Sequence, residues 1–163
     1  MTRLFRTVLA IGVPMVVVAS VHAAPLTFRA NLTGEQEVPA VDEPTEGTAT
    51  FRFDPGLREL RYEVRVQSGS GVTQAHLHCA PAGVNGPVVV FLFGPDNAGV
   101  NVSGRLAAGT IKNEDIIATE GDPCGKTLNN VASLYDAILE GRVYANVHST
   151  AHPGGVVRAQ LFP

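Results

Sequence analysis

From Leu26 onward, the chain is a series of short segments in which apolar and polar residues alternate, separated by turn residues. A period of two places the apolar side chains on one face of a β-strand, so alternation predicts half-buried strands. Eight such segments are present: Leu26–Thr33, Thr48–Phe53, Leu60–Val66, Thr73–Cys79, Val88–Phe93, Val100–Leu106, Arg142–His148 and Val156–Phe162. Val88–Phe93 differs, because its nearly continuous apolar run predicts a strand buried on both faces. Their number and the gaps between them predict an all-β fold, a Greek-key β-sandwich or a flattened barrel of about eight strands.

Three connecting segments have patterns of their own. Asp54–Gly56 is a tight-turn sequence that predicts a hairpin between the second and third strands. Glu35–Glu46 is rich in acids and proline, which predicts an exposed connection. In Thr127–Glu140 apolar residues recur at spacings of three and four, which predicts one short amphipathic helix that stops at Gly141.

The N-terminus has the three parts of a secretory signal. Arg3 and Arg6 precede an apolar run, and Val21–Ala23 ends on the small residue that a signal peptidase reads. The alternative, a membrane anchor, needs about 20 apolar residues, and this run is shorter and contains Pro14. We therefore expect residues 1–23 to be a signal peptide and the protein to be periplasmic or secreted, with no membrane span.

Charge and cysteine content narrow the functional classes. Without Arg3 and Arg6 the chain has ten basic and fifteen acidic residues, a net charge of about −5. No run of basic residues interleaved with aromatics is visible, so nucleic acid is not an expected partner. The cysteines, Cys79 and Cys124, predict a disulfide in an exported protein; two thiolates on a metal are the alternative.

The four histidines beyond residue 23 fall in two short motifs, residues 76–78 and 148–152. His76 and His78 are two residues apart on a predicted strand and so share one face. His148 lies on another predicted strand, and His152 in the turn that follows. If the two strands are neighbours, the imidazoles form a metal site, for which copper is the first candidate and zinc the alternative. Otherwise the histidines are incidental.

Arg158, on the last predicted strand, lies near His148 if these strands form a hairpin. It either holds an anion beside the metal or is an ordinary surface ion-pair partner. Asn85–Pro87 and Gly154–Gly155 are interpreted as turn chemistry.

Five stretches in order resemble the CHRD domain, the family named for chordin: Leu32–Pro39, Ala75–His78, Asn85–Val89, Tyr144–His148 and Pro153–Leu161. The resemblance identifies residues 26–162 as a CHRD domain and implies an all-β, immunoglobulin-like fold. It implies little about activity, since the family is defined by sequence rather than by a reaction. One departure from the usual bacterial pattern is Cys79, at a position often occupied by glycine.

A looser similarity is to copper-zinc superoxide dismutases, which are also small β-barrels with a His-x-His strand. That similarity implies His76, His78 and His148 as copper ligands and Arg158 as a catalytic anion guide, with His152 as a fourth ligand by position alone. No aspartate–histidine zinc cluster is visible, so it supports a copper-only site.

Three functions follow from these observations. The first is an exported domain that binds copper without turnover. The second is a copper-only enzyme similar to superoxide dismutase. The third is a structural or adhesive module with incidental histidines. The sequence does not identify a protein partner.

Overall fold

A computed structural model describes residues 26–163 of the chain. The predicted signal peptide lies outside these residues. Within the described part of the chain, no helix has both the length and the apolar character needed to span a bilayer.

Seven strands and one α-helix, with two single-turn 3-10 helices at Gly34–Gln36 and Asn113–Asp115, make up the regular structure between residues 26 and 163. They are β1 (Thr27–Thr33), β2 (Glu46–Phe53), β3 (Glu59–Cys79), β4 (Val88–Phe93), β5 (Val100–Lys112), α1 (Val131–Leu139), β6 (Val143–Ser149) and β7 (Val157–Gln160). The predicted all-β fold with one short helix is confirmed, and the strands are within a few residues of their predicted positions except in β3 and β5.

Two predicted strands, Leu60–Val66 and Thr73–Cys79, are a single long strand, which is why seven strands are found rather than eight. The intervening residues contain two glycines and resemble a turn in the sequence. Pairing with β5 keeps them extended, because Gly69 lies opposite Val102 and Val72 opposite Val100. The β3–β5 register shifts twice within this segment, before and after Gly69, which is the pattern of β-bulges.

The strands form one antiparallel sheet that closes into a barrel. The order β2-β1-β7-β6-β3 is completed by pairing of β2 with the first half of β3, while β4 and β5 extend the sheet from the other edge of β3. The predicted hairpin turn is present, since Phe53 of β2 pairs with Leu60 of β3 across residues 54–59. The length of β3 lets it join the barrel and its extension.

Inward-facing side chains of the barrel strands form the core with the apolar face of α1. Tyr135 of the helix packs edge-on against Phe28 and Phe53, with ring centroids 5.8 and 5.1 Å apart. The helix starts later than predicted because Asn130 caps it, accepting a 2.8 Å hydrogen bond from the Ser133 backbone N–H. Its predicted stop, Gly141, has the positive φ of 68° typical of a residue that ends a helix.

Candidate metal centre

Pairing of β3 with β6 brings together histidines that are 70 residues apart in sequence. In the antiparallel register His76 lies opposite Asn146, and His78 lies opposite Tyr144. His148 is two positions further along β6, opposite Gln74, and therefore shares this face of the sheet. The neighbouring strands that the sequence could only assume are thus present.

Three imidazoles, those of His76, His78 and His148, form a compact cluster. One ring nitrogen of each lies within 4.8 Å of the others, a spacing that allows all three to reach a common ion. The His76 Nδ1 and His148 Nε2 atoms are 3.0 Å apart. The ring centroids of His78 are 5.5 Å from those of His76 and 5.9 Å from those of His148. We call these residues the three-histidine cluster.

Two backbone carbonyls determine which nitrogens of the cluster can bind a metal. His148 Nδ1 lies 2.9 Å from the Pro153 carbonyl oxygen, and His78 Nδ1 lies 2.9 Å from that of Gly86. A carbonyl oxygen only accepts, so each Nδ1 carries the proton and each Nε2 is unprotonated. The Nε2 of His78 has a free lone pair, whereas that of His148 accepts from the Nδ1–H of His76, a hydrogen bond that a bound metal would replace. Such carbonyl partners commonly orient the histidine ligands of metal sites.

The cluster is buried and electrically neutral. Its three side chains are only 4–8% exposed. Burial, with a smaller effect of the other two histidines, lowers the pKa of His76 to about 3. Burial also lowers the pKa of His78 to about 4, and it lowers the pKa of His148. All three imidazoles are therefore neutral at neutral pH, with one ring proton each, and neutral imidazole is the form that binds metal ions.

Two polar atoms in the cluster have no hydrogen-bond partner, the Nε2 atoms of His76 and His78. A buried polar atom without a partner costs about 1–3 kcal/mol. A metal ion would satisfy the lone pair of His78 directly.

A ring stack supports His78 from one side. The Tyr144 ring lies parallel to the His78 ring, and the two ring centroids are 4.8 Å apart. On the neighbouring strand β7, the Arg158 guanidinium lies 3.9 Å from the centroid of the Tyr144 ring. The Tyr144 hydroxyl accepts a 3.1 Å hydrogen bond from the Gly86 N–H, whose own carbonyl accepts from His78. Gly86 therefore links the Tyr144 hydroxyl to the His78 ring. A Cβ at position 86 would collide with the Cys79 carbonyl oxygen. The glycine is required by this close approach as well as by the turn.

Arg158 is 2% exposed, and two of its N–H donors bind groups of the same chain. It donates to Asn85 Oδ1 at 2.8 Å and to the Val84 carbonyl at 3.1 Å. The Arg158 guanidinium interacts electrostatically with the carboxyl group of Glu37, which is also buried. The hairpin of β6 and β7 does place Arg158 near the cluster, opposite Asn146.

Glu37 lies in Glu35–Glu46, the segment predicted to be an exposed connection, yet it is only 7% exposed. Its carboxylate accepts a 2.7 Å hydrogen bond from Asn146 Nδ2. Burial raises the pKa of Glu37 to about 7, against the opposing effect of Arg158. A Cβ on Gly155 would lie 2.6 Å from a Glu37 carboxylate oxygen, so the loop of residues 153–155 also closes on this group.

His152 lies apart from the cluster. Its Nε2 is 3.2 Å from Glu43 Oε1 in a partly exposed pair. Its loop nevertheless matters, because the same loop supplies the Pro153 carbonyl that orients His148.

The predicted disulfide is present between Cys79 and Cys124. It links the end of β3, one residue past His78, to the segment before α1.

The supporting residues Glu37, Asn85, Tyr144 and Asn146 were not predicted as functional. A signal for them existed, because all four lie in the stretches that carry the family resemblance. The structure shows that these stretches, spread from residue 32 to residue 161, converge on one side of the barrel.

The fold and this site define a disulfide-bonded β-barrel domain with a buried three-histidine cluster. The family model for the CHRD domain matches residues 28–161, nearly all of the described chain. The chain therefore belongs to the CHRD domain family. Comparisons with curated proteins and with solved structures found no match.

Proposed function

We propose that this chain is an exported CHRD-domain protein that binds one copper ion through His76, His78 and His148. The observation that carries the proposal is a buried cluster of three neutral imidazoles, two of them with unpartnered Nε2 atoms. The proposed signal peptide of residues 1–23 and the disulfide support a periplasmic or secreted location, since disulfides persist in oxidising compartments.

Copper is favoured by the chemistry of the donors. Both cysteines are used in the disulfide, and no carboxylate belongs to the described cluster, so the ligand set is imidazole only. Copper(II) heads the affinity series for such sites, with zinc as the competitor. Calcium and magnesium prefer oxygen ligands and are poor candidates.

Binding without turnover is favoured over dismutation by the position of Arg158. A residue that guides superoxide must present charge to the solvent, whereas this guanidinium is buried between Tyr144, Asn85 and the Val84 carbonyl. The His-x-His strand beside a strand bearing His148 is what keeps the dismutase function as the second candidate.

Metal analysis tests the proposal. Protein purified without a His tag, incubated with copper and dialysed, should retain one copper per chain, and zinc should not displace it. The control is the variant His76→Ala/His78→Ala/His148→Ala, which should retain none. If the native protein keeps no stoichiometric metal, the proposal is wrong, and the protein is better described as a structural or adhesive module with incidental histidines.

The copper-loaded protein also separates the two metal functions. Superoxide dismutation above that of an unrelated copper-binding protein, reduced in Arg158→Ala without loss of copper, would favour the enzyme. We expect no such activity.

A further inference from the structure

A basic surface, invisible in the linear sequence, covers the outward side of strands β1, β2, β3 and β5. Alternation along each strand and the register between strands place six basic side chains on this face: Arg29, Arg52, Arg61, Arg65, Arg105 and Lys112. Only three acidic residues share it: Glu46, Glu59 and Glu63. Residues 26–163 contain ten basic residues, since Arg3 and Arg6 of the twelve precede them, so six of the ten lie on this basic face.

The arrangement of these arginines works against the stability of the sheet. Arg52 lies directly opposite Arg61, and Arg65 directly opposite Arg105. Like charges at directly opposed positions destabilise a sheet. Two such pairs on one face indicate a role other than stability.

Little on the face compensates for the repulsion. The Arg61–Glu59 and Arg65–Glu63 pairs, at 3.7 and 3.5 Å, are solvent-exposed and therefore weak. The Arg61 side chain is 75% exposed. Among the described residues, Arg29, Arg52 and Arg105 make no ion pair within 4 Å.

Two shallow grooves run across the basic face. One, of about 280 Å³, is lined by Arg52 and Arg61 together with Asp54 and Glu59. The other, of about 140 Å³, is lined by Arg65, Thr48 and the acidic Glu46. Arg61 and Arg65 are four strand residues apart, which separates their anchor points by about 13 Å. Guanidinium groups bind carboxylates and sulfates through paired hydrogen bonds.

We propose that the basic face binds an acidic polysaccharide, with the arginines contacting successive carboxylate or sulfate groups along an extended chain. Charge complementarity carries the assignment. One aromatic ring borders the face, that of Phe162, which pairs with Arg29 and is 44% exposed. The outward residues of the four strands add no second ring and no further large apolar side chain. The face therefore has neither a row of rings for successive bases nor an apolar patch for a bilayer. The site is separate from the three-histidine cluster.

Titration with fluorescent oligosaccharides tests this proposal, with a heparin fragment as the sulfated probe and an oligogalacturonate as the carboxylated one. Binding should weaken as NaCl rises from about 50 to 200 mM. The variant Arg61→Gln/Arg65→Gln should bind at least about tenfold more weakly and reduce the slope of log affinity against log salt by about two. The matched control Lys126→Gln/Arg142→Gln removes the same charge from the pair that contacts Glu140 after α1 and should bind as the native protein does.

A gain-of-function variant makes the test independent of any loss of folding. Glu63→Gln removes the acid between Arg61 and Arg65 and should tighten binding several-fold. The histidine triple variant should bind the probes normally, which separates this site from the metal site. Failure of both probes to bind at about 50 mM NaCl, an equal loss in both double variants, or tighter binding of single-stranded DNA or phosphatidylglycerol vesicles would overturn the proposal.

Discussion

Single atoms decide what the three-histidine cluster can do. The carbonyl oxygens of Gly86 and Pro153 fix the protons of His78 and His148 on Nδ1, which leaves both Nε2 atoms unprotonated. Neither carbonyl belongs to a residue that would attract notice as a ligand. Each is delivered by a loop, residues 85–87 or 153–155, whose glycines allow the backbone to approach closely.

The ligand assignment predicts unequal effects of histidine substitution. His76→Ala, His78→Ala or His148→Ala should each lower copper affinity by at least about 100-fold, more than the 10–100-fold loss typical of residues that only orient ligands. His152→Ala is the matched control and should leave affinity unchanged, because that side chain pairs with Glu43 instead. Competition titration with a chelator measures the affinities. Equal, negligible effects at all four positions would contradict the assignment.

Glu37 predicts a pH dependence of stability. Its pKa is raised from 4.5 to about 7 by burial, so between these pH values the folded state binds more protons than the unfolded state. Stability therefore falls, on account of this group, as pH rises from 4.5 to about 7. Glu37→Gln keeps an acceptor for Asn146 and removes the cost of the buried charge.

The melting temperature of Glu37→Gln should thus rise relative to that of the native protein as pH increases across this window. The histidines of the cluster shift stability in the opposite sense, since their lowered pKa values make the unfolded state bind more protons below pH 6.5. They are present in both proteins, so the difference isolates Glu37. A difference that stays constant with pH would show that Glu37 is ionised equally in both states.

Among the secondary-structure elements, β3 has the largest role. Its first half belongs to the barrel and the basic face, and its second half carries His76 and His78 between β4 and β6. The disulfide fixes its last residue, Cys79, to Cys124 across a separation of 45 residues. The end of the strand that carries the ligands is therefore held covalently.

Removal of this bond should be costly. For a loop of this size the chain-entropy model gives a loss of about 4 kcal/mol in the free energy of unfolding. Cys79→Ala/Cys124→Ala should show that loss in urea denaturation, and the native protein should show no reactive thiol when denatured without a reductant. Labelling of both cysteines in that experiment would contradict the disulfide.

For the whole molecule, the proposed metal site and the fold are coupled. Residues 37, 76–78, 85–86, 144–148 and 153–158 meet only when the barrel is closed, so an unfolded chain has no comparable site. A ligand that binds only the folded state at 100 times its dissociation constant stabilises that state by about 2.7 kcal/mol.

Copper at that excess should therefore raise the melting temperature by about 10 °C for a domain of this size. Calorimetry with and without copper measures the shift. The histidine triple variant should show none. A shift of the same size in that variant would place the bound copper elsewhere.

Local pattern was sufficient for much of this protein. The period of two predicted the strands, the spacing of three and four predicted α1, and the two cysteines predicted the disulfide. The spacing of His76 and His78 placed both imidazoles on one strand face. Each of these depends on residues close in sequence or, for the disulfide, on there being a single possible pairing.

Only the tertiary structure decided which strands are neighbours. Pairing of β3 with β6 completed the cluster with His148 and left out His152, the barrel buried Glu37 and Arg158, and the β1-β2-β3-β5 register gathered the arginines on one face. Pairing of β3 with β5 also keeps residues 67–72, which separate two of the predicted strands, extended in the middle of one strand. The physical reason is that neighbour and register are set by packing and hydrogen bonding between segments far apart in the chain, which a local period does not encode.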